Sequence, residues 1–292
     1  GGAQGGAQGG AQGGAATSPA TTAAGGPPPA NPLLSEAVYN AAISAIGSGG
    51  HVSEALLLLD EMEAAGLTPN LRSFNGCLKA CERAVDWDAA IDLFSRMKAA
   101  RLQPDAISYT SVVGALGRAG EWELAVSMWT QMLCERIEPD GLALHTLVLA
   151  ITRGGEWRKA IDLFDAALAS GMGAARTTVA FAAGMAACAE GRDARRAVAL
   201  LDSMPRHNLL PSPACYLAAS RACAAAGEWR GALRLWQSMV RNDLRPAPEM
   251  WAVVLRACRA AGDEADEEAR MLLEFAEREG VPLMALEEPD YD

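Results

Sequence analysis

Residues 108–140 read SYTSVVGALGRAGEWELAVSMWTQMLCERIEPD, and this stretch predicts two helices that form one hairpin. The first helix occupies the start of the stretch and ends at Gly120, a typical helix stop. The second, Trp122–Glu135, places its apolar residues at spacings of three and four, so it has one apolar face. Pro139 then breaks the helix, and Asp140 can cap the helix that follows.

The same hairpin pattern recurs along most of the chain. A step of 35 residues separates the aromatic residues Tyr39, Phe74 and Tyr109, the prolines Pro69, Pro104 and Pro139, and the tryptophans Trp87, Trp122 and Trp157. One hairpin cannot bury its apolar faces alone, so neighbouring hairpins must stack into a superhelix. The sequence therefore predicts an all-α solenoid over residues 33–283 with about seven helix-turn-helix units, at 36–70, 71–105, 106–140, 141–175, 176–212, 213–247 and 248–283.

Two terminal segments lie outside these units. Residues 1–32 contain GGAQ three times and a proline triplet, and they include no charged side chain and almost no large apolar one. Such a segment cannot offset its ordering entropy by burial, which predicts a disordered tail. Residues 284–292 form an acidic tail. The chain begins with Gly1 rather than Met, so we expect a processed protein or a fragment.

Composition excludes several classes of protein. No apolar run is long enough to cross a membrane, and the seven cysteines include no CxxC pair, so we expect reduced, buried thiols rather than disulfides or a zinc site. No Gly-rich phosphate loop and no catalytic constellation is visible, which predicts a protein that is not an enzyme and uses no cofactor or metal.

The net charge of −11 argues against a uniformly phosphate-binding surface. Its distribution is uneven. Residues 36–70 carry five acidic and no basic side chains and residues 248–292 carry thirteen acidic and four basic ones, whereas residues 176–247 carry ten basic and five acidic ones. The acidity therefore lies mainly at the two ends of the chain.

The stretch 108–140, with YNAAI at 39–43 and GLTPN at 66–70, resembles the pentatricopeptide repeat. The resemblance implies a right-handed superhelical α-solenoid that binds single-stranded RNA, one base per repeat. It also implies a role in organellar RNA processing, stability or translation, in the chloroplast or mitochondrion. Residues 1–32 show no transit-peptide pattern that would support either address.

By this resemblance, two side chains per unit choose the base: the residue after the helix-A aromatic and the residue after the loop proline. Short polar side chains there can bond to the Watson–Crick edge of a splayed-out base. The three predicted base-reading pairs are Asn40 with Asn70, Asn75 with Asp105, and Thr110 with Asp140. The family pattern assigns them a pyrimidine (cytosine first), uracil and guanine, hence 5′-C/U-U-G-3′ with the N-terminal unit at the 5′ end.

The later units depart from the family pattern. Their corresponding residues are His145 with Ala175, Ala180 with Ser212, Leu217 with Ala247, and Ala252 without a clear partner. Leu and Ala cannot read a base edge, so these units bind RNA weakly, bind a protein partner or only extend the scaffold.

Arg83, Arg118 and Arg153 lie one repeat apart near the end of the first helix of units two to four. We call them the arginine row. Stacked units would align them along a groove, where they are predicted to contact RNA phosphates. The equivalent residues of units six and seven are Ala225 and Ala260, so this row does not continue.

Each of these hypotheses has a structural alternative. The tryptophans at the start of the second helices are interpreted as packing residues rather than base-stacking platforms. The arginine row could be a solvated face, and the polar pairs could serve only as helix caps. For the whole chain, the alternative to RNA binding is a protein-protein interaction scaffold, which the net acidity favours.

Overall fold

The computed structural model describes residues 35–278, where it contains fourteen α-helices, three 3₁₀ helices and no strand. The helices alternate as predicted, and the all-α solenoid is confirmed. The A helices are α1 Glu36–Gly49, α3 Leu71–Ala84, α5 Ala106–Ala119, α7 Gly141–Arg153, α9 Thr178–Glu190, α11 Pro213–Ala225 and α13 Pro248–Ala260. The B helices are α2 Val52–Ala64, α4 Trp87–Ala99, α6 Trp122–Cys134, α8 Trp157–Ala169, α10 Ala194–Ser203, α12 Trp229–Arg241 and α14 Asp266–Arg278.

The 3₁₀ helices are Gly173–Ala175, Met204–His207 and Gly262–Ala265. The second of these follows the short helix α10, in the unit whose repeat is two residues longer. The predicted tails at 1–32 and 284–292 lie outside the described residues.

Local capping sets the ends of the helices. Asp140 caps α7 as predicted, since the backbone N–H of Ala143 donates to its carboxylate at 2.7 Å. Helix α5 begins at Ala106, two residues before the start of the quoted stretch, because the carboxylate of Asp105 caps it. The helix ends at Gly120, whose φ of 87° lies in the left-handed region that glycine adopts without strain.

Aromatic contacts between a B helix and the next A helix help to stack several of the units. Phe94 of α4 meets Tyr109 of α5 edge to face at 4.9 Å, and Phe164 of α8 meets Phe181 of α9 in the same way at 5.3 Å. Each A helix also packs on the next A helix, whereas consecutive B helices have far sparser contacts. The A helices therefore form the inner layer of the curved solenoid, and the side chains that they leave uncovered line its groove.

Packing is confirmed for the tryptophans at the start of the B helices. The ring of Trp122 lies against Gly154 of the next repeat, and the ring of Trp157 lies against Gly191. Trp229 is 7% exposed. A β-carbon at Gly154 would lie 2.7 Å from Cγ of Trp122, so the close approach of these repeats needs glycine there.

Six of the seven cysteines are buried, as predicted, and Cys134 is the exception because it lies on the exposed end of α6. Burial raises the pKa of the Cys77 and Cys188 thiols to about 12, which makes them poor nucleophiles. Between residues 35 and 278, no group of His, Cys, Asp and Glu side chains is placed to hold a metal ion. No helix in this range is long and apolar enough to cross a membrane.

The last helix combines an acidic start with a partly apolar outer face. Helix α14 packs on α13, the other helix of its own unit, where it buries Ala269, Leu272 and Ala276, and its first turn is acidic. However, Met271 is 58% exposed, so its outer face is partly apolar.

Candidate nucleic-acid interface

The second predicted pair, Asn75 and Asp105, is joined directly in the groove. The side-chain amide of Asn75 donates to both carboxylate oxygens of Asp105, at 3.1 and 3.3 Å. The hydroxyl of Ser108, which is fully buried, donates to Oδ1 of Asn75 at 2.7 Å and accepts from the backbone N–H of Asp105 at 3.2 Å. One serine therefore orients both members of the pair, although it lies 33 residues from Asn75.

The first pair uses the same arrangement one repeat earlier. The hydroxyl of Ser73 donates to Oδ1 of Asn40 at 2.6 Å, and it accepts from the backbone N–H of Asn70 at 3.2 Å. The side-chain amide of Asn70 donates to Glu36. Asn40 and Asn70 line one cavity of about 740 Å³, although Asn40 is only 6% exposed and presents little of its side chain to it.

The third pair is organised differently. The hydroxyl of Thr110 donates to the backbone carbonyl of Ala106, and Asp140 caps α7. Within residues 35–278, no hydrogen bond joins Thr110 to Asp140. The residue that corresponds to Ser73 and Ser108 is here Ala143, which has no hydroxyl to bridge the pair.

Ser73 and Ser108 were not predicted as site residues. Their spacing of one repeat was visible in the sequence. Their bridging role was not, because it depends on the contact between two A helices.

Of the corresponding positions in the later units, two are buried, Ala247 is exposed and the others are half-buried. Ala175 and Ala180 are fully buried. His145 is half-buried and its Nδ1 lies 3.0 Å from the carbonyl oxygen of Val179 in the next repeat, so it serves as an inter-repeat contact.

The arginine row occupies the last turns of α3, α5 and α7, and all three side chains are exposed. None of them forms an ion pair with another described residue. Cations also stabilise the carboxyl end of a helix, so this location suits both a phosphate contact and a purely structural role.

Three exposed apolar side chains form a further series that the sequence reasoning missed. Ile107, Leu142 and Val179 are each the second residue of an A helix and are 60%, 54% and 43% exposed. Ile107 and Leu142 lie two residues after Asp105 and Asp140 respectively, where an apolar side chain can pack on the face of a base. Their repeat spacing and their position outside the buried stripe were the available signals.

Repeat models match the chain at these same units. The model described as PPR repeat matches residues 37–67, 107–137 and 215–244, and the model described as pentatricopeptide repeat domain matches residues 57–119. The matched units are pentatricopeptide repeats. None of the curated proteins matches its sequence.

Solved pentatricopeptide repeat structures share the fold. The chain superposes on the pentatricopeptide repeat protein PPR10 from maize with a TM-score of 0.63 and 22% identity, covering 87% of this chain and 36% of that one. PPR10 in complex with an 18-nt psaJ RNA element gives a TM-score of 0.54 at 18% identity, over 85% of this chain and 41% of the other. The Arabidopsis thaliana nuclear protein-only RNase P 2 superposes with a TM-score of 0.51 and 13% identity, covering 68% of this chain and 43% of that one. This chain therefore spans less than half the length of each of these proteins.

Proposed function

We propose that this protein binds single-stranded RNA in the groove lined by its A helices, with units one to three each reading one base. The observation that carries the proposal is the hydrogen-bonded pair Asn75–Asp105, which Ser108 holds in one orientation at the groove surface. An oriented amide beside a carboxylate offers donors and acceptors to a base edge. The likeness to a structure solved with an RNA element supports the same ligand.

The expected core target is 5′-C/U-U-G-3′, and the expected setting is organellar RNA processing, stability or translation in the chloroplast or mitochondrion. The exposed side chains of Ile107 and Leu142 support base binding because they supply apolar surface on either side of the third pair. We propose no catalytic step, cofactor or membrane contact for this function.

Fluorescence anisotropy with an RNA that carries CUG, compared with a scrambled RNA, tests the proposal. Each base read is worth about 1–3 kcal/mol of discrimination, as for good base-edge pairs. The variant Asn75→Thr should change the preference at the second base and leave the first and third unchanged. If that preference stays the same, the assignment of the pair is wrong.

The arginine row is tested by the salt dependence of the same binding. Replacing Arg83, Arg118 and Arg153 with Ala should weaken all RNAs about equally. It should lower the slope of log Kd against log salt by about 2, at about 0.7 for each phosphate contact. An unchanged slope would make the row a solvated face.

A protein-interaction scaffold is the second candidate function. It is favoured by the net charge of −11 and by the full burial of Ala175 and Ala180 at positions that would read bases. Absence of RNA binding at low salt would support it.

A further inference from the structure

A cavity of about 760 Å³ crosses the A helices of the last three units, close to their carboxyl ends. Three arginines line it: Arg192 after α9, Arg221 of α11 and Arg256 of α13. The remaining lining is small or apolar apart from Glu190, so a ligand can approach the helix backbones closely.

The arginines of this cavity continue the arginine row in a shifted register. Ala225 and Ala260 hold the positions of the row in units six and seven, and both line the cavity. Arg221 and Arg256 lie four residues earlier in the same helices, which places them on the same face about 6 Å away along the axis. The basic groove surface therefore extends into units that the row was predicted not to reach.

The charge of this region suits a polyanion. Three arginines and one glutamate line the cavity. Residues 176–247, which supply most of the lining, carry ten basic and five acidic side chains in a chain that is acidic as a whole. A positive cavity in a negative protein concentrates anions locally.

The same units cannot read a base. Ala180 is fully buried, and Leu217 and Ala252 offer no hydrogen-bonding group where units one to three carry a polar side chain. The chemistry of these units therefore fits the sugar-phosphate backbone of a nucleic acid and not its sequence.

We propose that Arg192, Arg221 and Arg256 hold the phosphates of the RNA segment on the 3′ side of the segment read by units one to three, independently of its sequence. The proposal rests on the proposed function, because the bound core fixes which end of the RNA reaches the cavity. The protein then reads bases in units one to three and binds the phosphates of the adjacent RNA in the last three units, independently of sequence.

RNAs that share the CUG core and differ only in their extension test this. A 3′ extension of about four abasic ribose-phosphates, one for each remaining unit, should tighten binding as much as a 3′ extension of four nucleotides. The same abasic extension at the 5′ end should give no gain. Since three phosphate contacts contribute a salt slope of about 2, the 3′ gain should fall about 20-fold between about 50 and 200 mM salt.

The variant R192Q/R221Q/R256Q should remove the 3′ gain and keep the affinity for the CUG core. The matched control is R195Q/R234Q/R241Q, which removes three exposed arginines from the B helices of units five and six and should keep the gain. Should the cavity variant fold poorly, the salt dependence of the wild-type gain still tests the proposal.

Three outcomes would overturn the inference. In the first, RNA with the CUG core binds but the 3′ extension does not tighten binding. In the second, only an extension that carries bases tightens binding. In the third, the two triple variants lose the same amount of affinity. If an oligoglutamate peptide binds in the cavity and the abasic 3′ extension does not tighten RNA binding, the ligand of the cavity is an acidic protein segment instead. Failure of the CUG core itself to bind would instead refute the proposed function, so the two failures are distinguishable.

Discussion

Removing the hydroxyl of Ser108 should weaken base selectivity, although this buried hydroxyl does not itself contact RNA. The change Ser108→Ala deletes one buried oxygen and introduces no clash. It leaves Oδ1 of Asn75 without the donor that now lies at 2.7 Å, and the backbone N–H of Asp105 without the acceptor at 3.2 Å. The bonds between Asn75 and Asp105 remain, so both side chains are still present but the hydrogen bonds that orient them from Ser108 are lost.

The expected magnitudes follow from these contacts. A buried polar group left without a partner costs about 1–3 kcal/mol, and the fully buried location of Ser108 places the loss of stability in that range. Fixing a mobile side chain costs about 0.5–1.5 kcal/mol, which RNA must now supply when it orders Asn75. The affinity for an RNA with uracil at the second base should therefore fall about 2- to 12-fold.

Two measurements check this reasoning. Urea denaturation followed by circular dichroism gives the loss of stability, and anisotropy with four RNAs that differ only at the second base gives the selectivity. Ser111→Ala is the matched control, because Ser111 is also buried in α5 but its hydroxyl bonds to no other described residue. If Ser108→Ala lowers stability but keeps the selectivity at the second base, or if its effect simply adds to that of Asn75→Ala, the serine does not position the pair.

Two further predictions concern packing and thiol chemistry. Gly154→Ala should destabilise the protein by about 1–3 kcal/mol, because the new methyl group overlaps the ring of Trp122. Gly173→Ala, which meets no atom within 4 Å, should be neutral in the same thermal melt, and equal melts would refute this account of the inter-repeat contact. Iodoacetamide near pH 8 should label only Cys134 in the folded protein, since the other six cysteines are buried, and all seven in denaturant. A second adduct on the native protein, seen by mass spectrometry, would show that a buried cysteine is accessible.

The helical hairpins were predictable because their signals are local. Gly120 ends a helix by its own backbone freedom, and Asp140 caps one through a neighbour three residues away. Such features lie within one turn of helix and can be read directly from the order of residues. The boundaries differ by a residue or two where a cap such as Asp105 extends the helix backwards.

The candidate site was only half predictable. The family pattern named Asn75 and Asp105, but nothing local indicated that Ser108 would bridge them or that Ala143 would leave Thr110 and Asp140 unbridged. These contacts cross between repeats, so they depend on how closely two A helices pack.

The sequence by itself determined the repeated hairpin, its step and the residue types available to bind a nucleic acid. Those properties follow from the helical period and from residues that start or stop a helix. The tertiary structure alone decided which of these residues meet. It brought Arg192, Arg221 and Arg256 around one cavity across three repeats, because stacking places side chains from different units on a common surface. In the sequence, the arginine row ends at unit four. In the folded solenoid, Arg221 and Arg256 continue the basic surface one helical turn before the positions of the row.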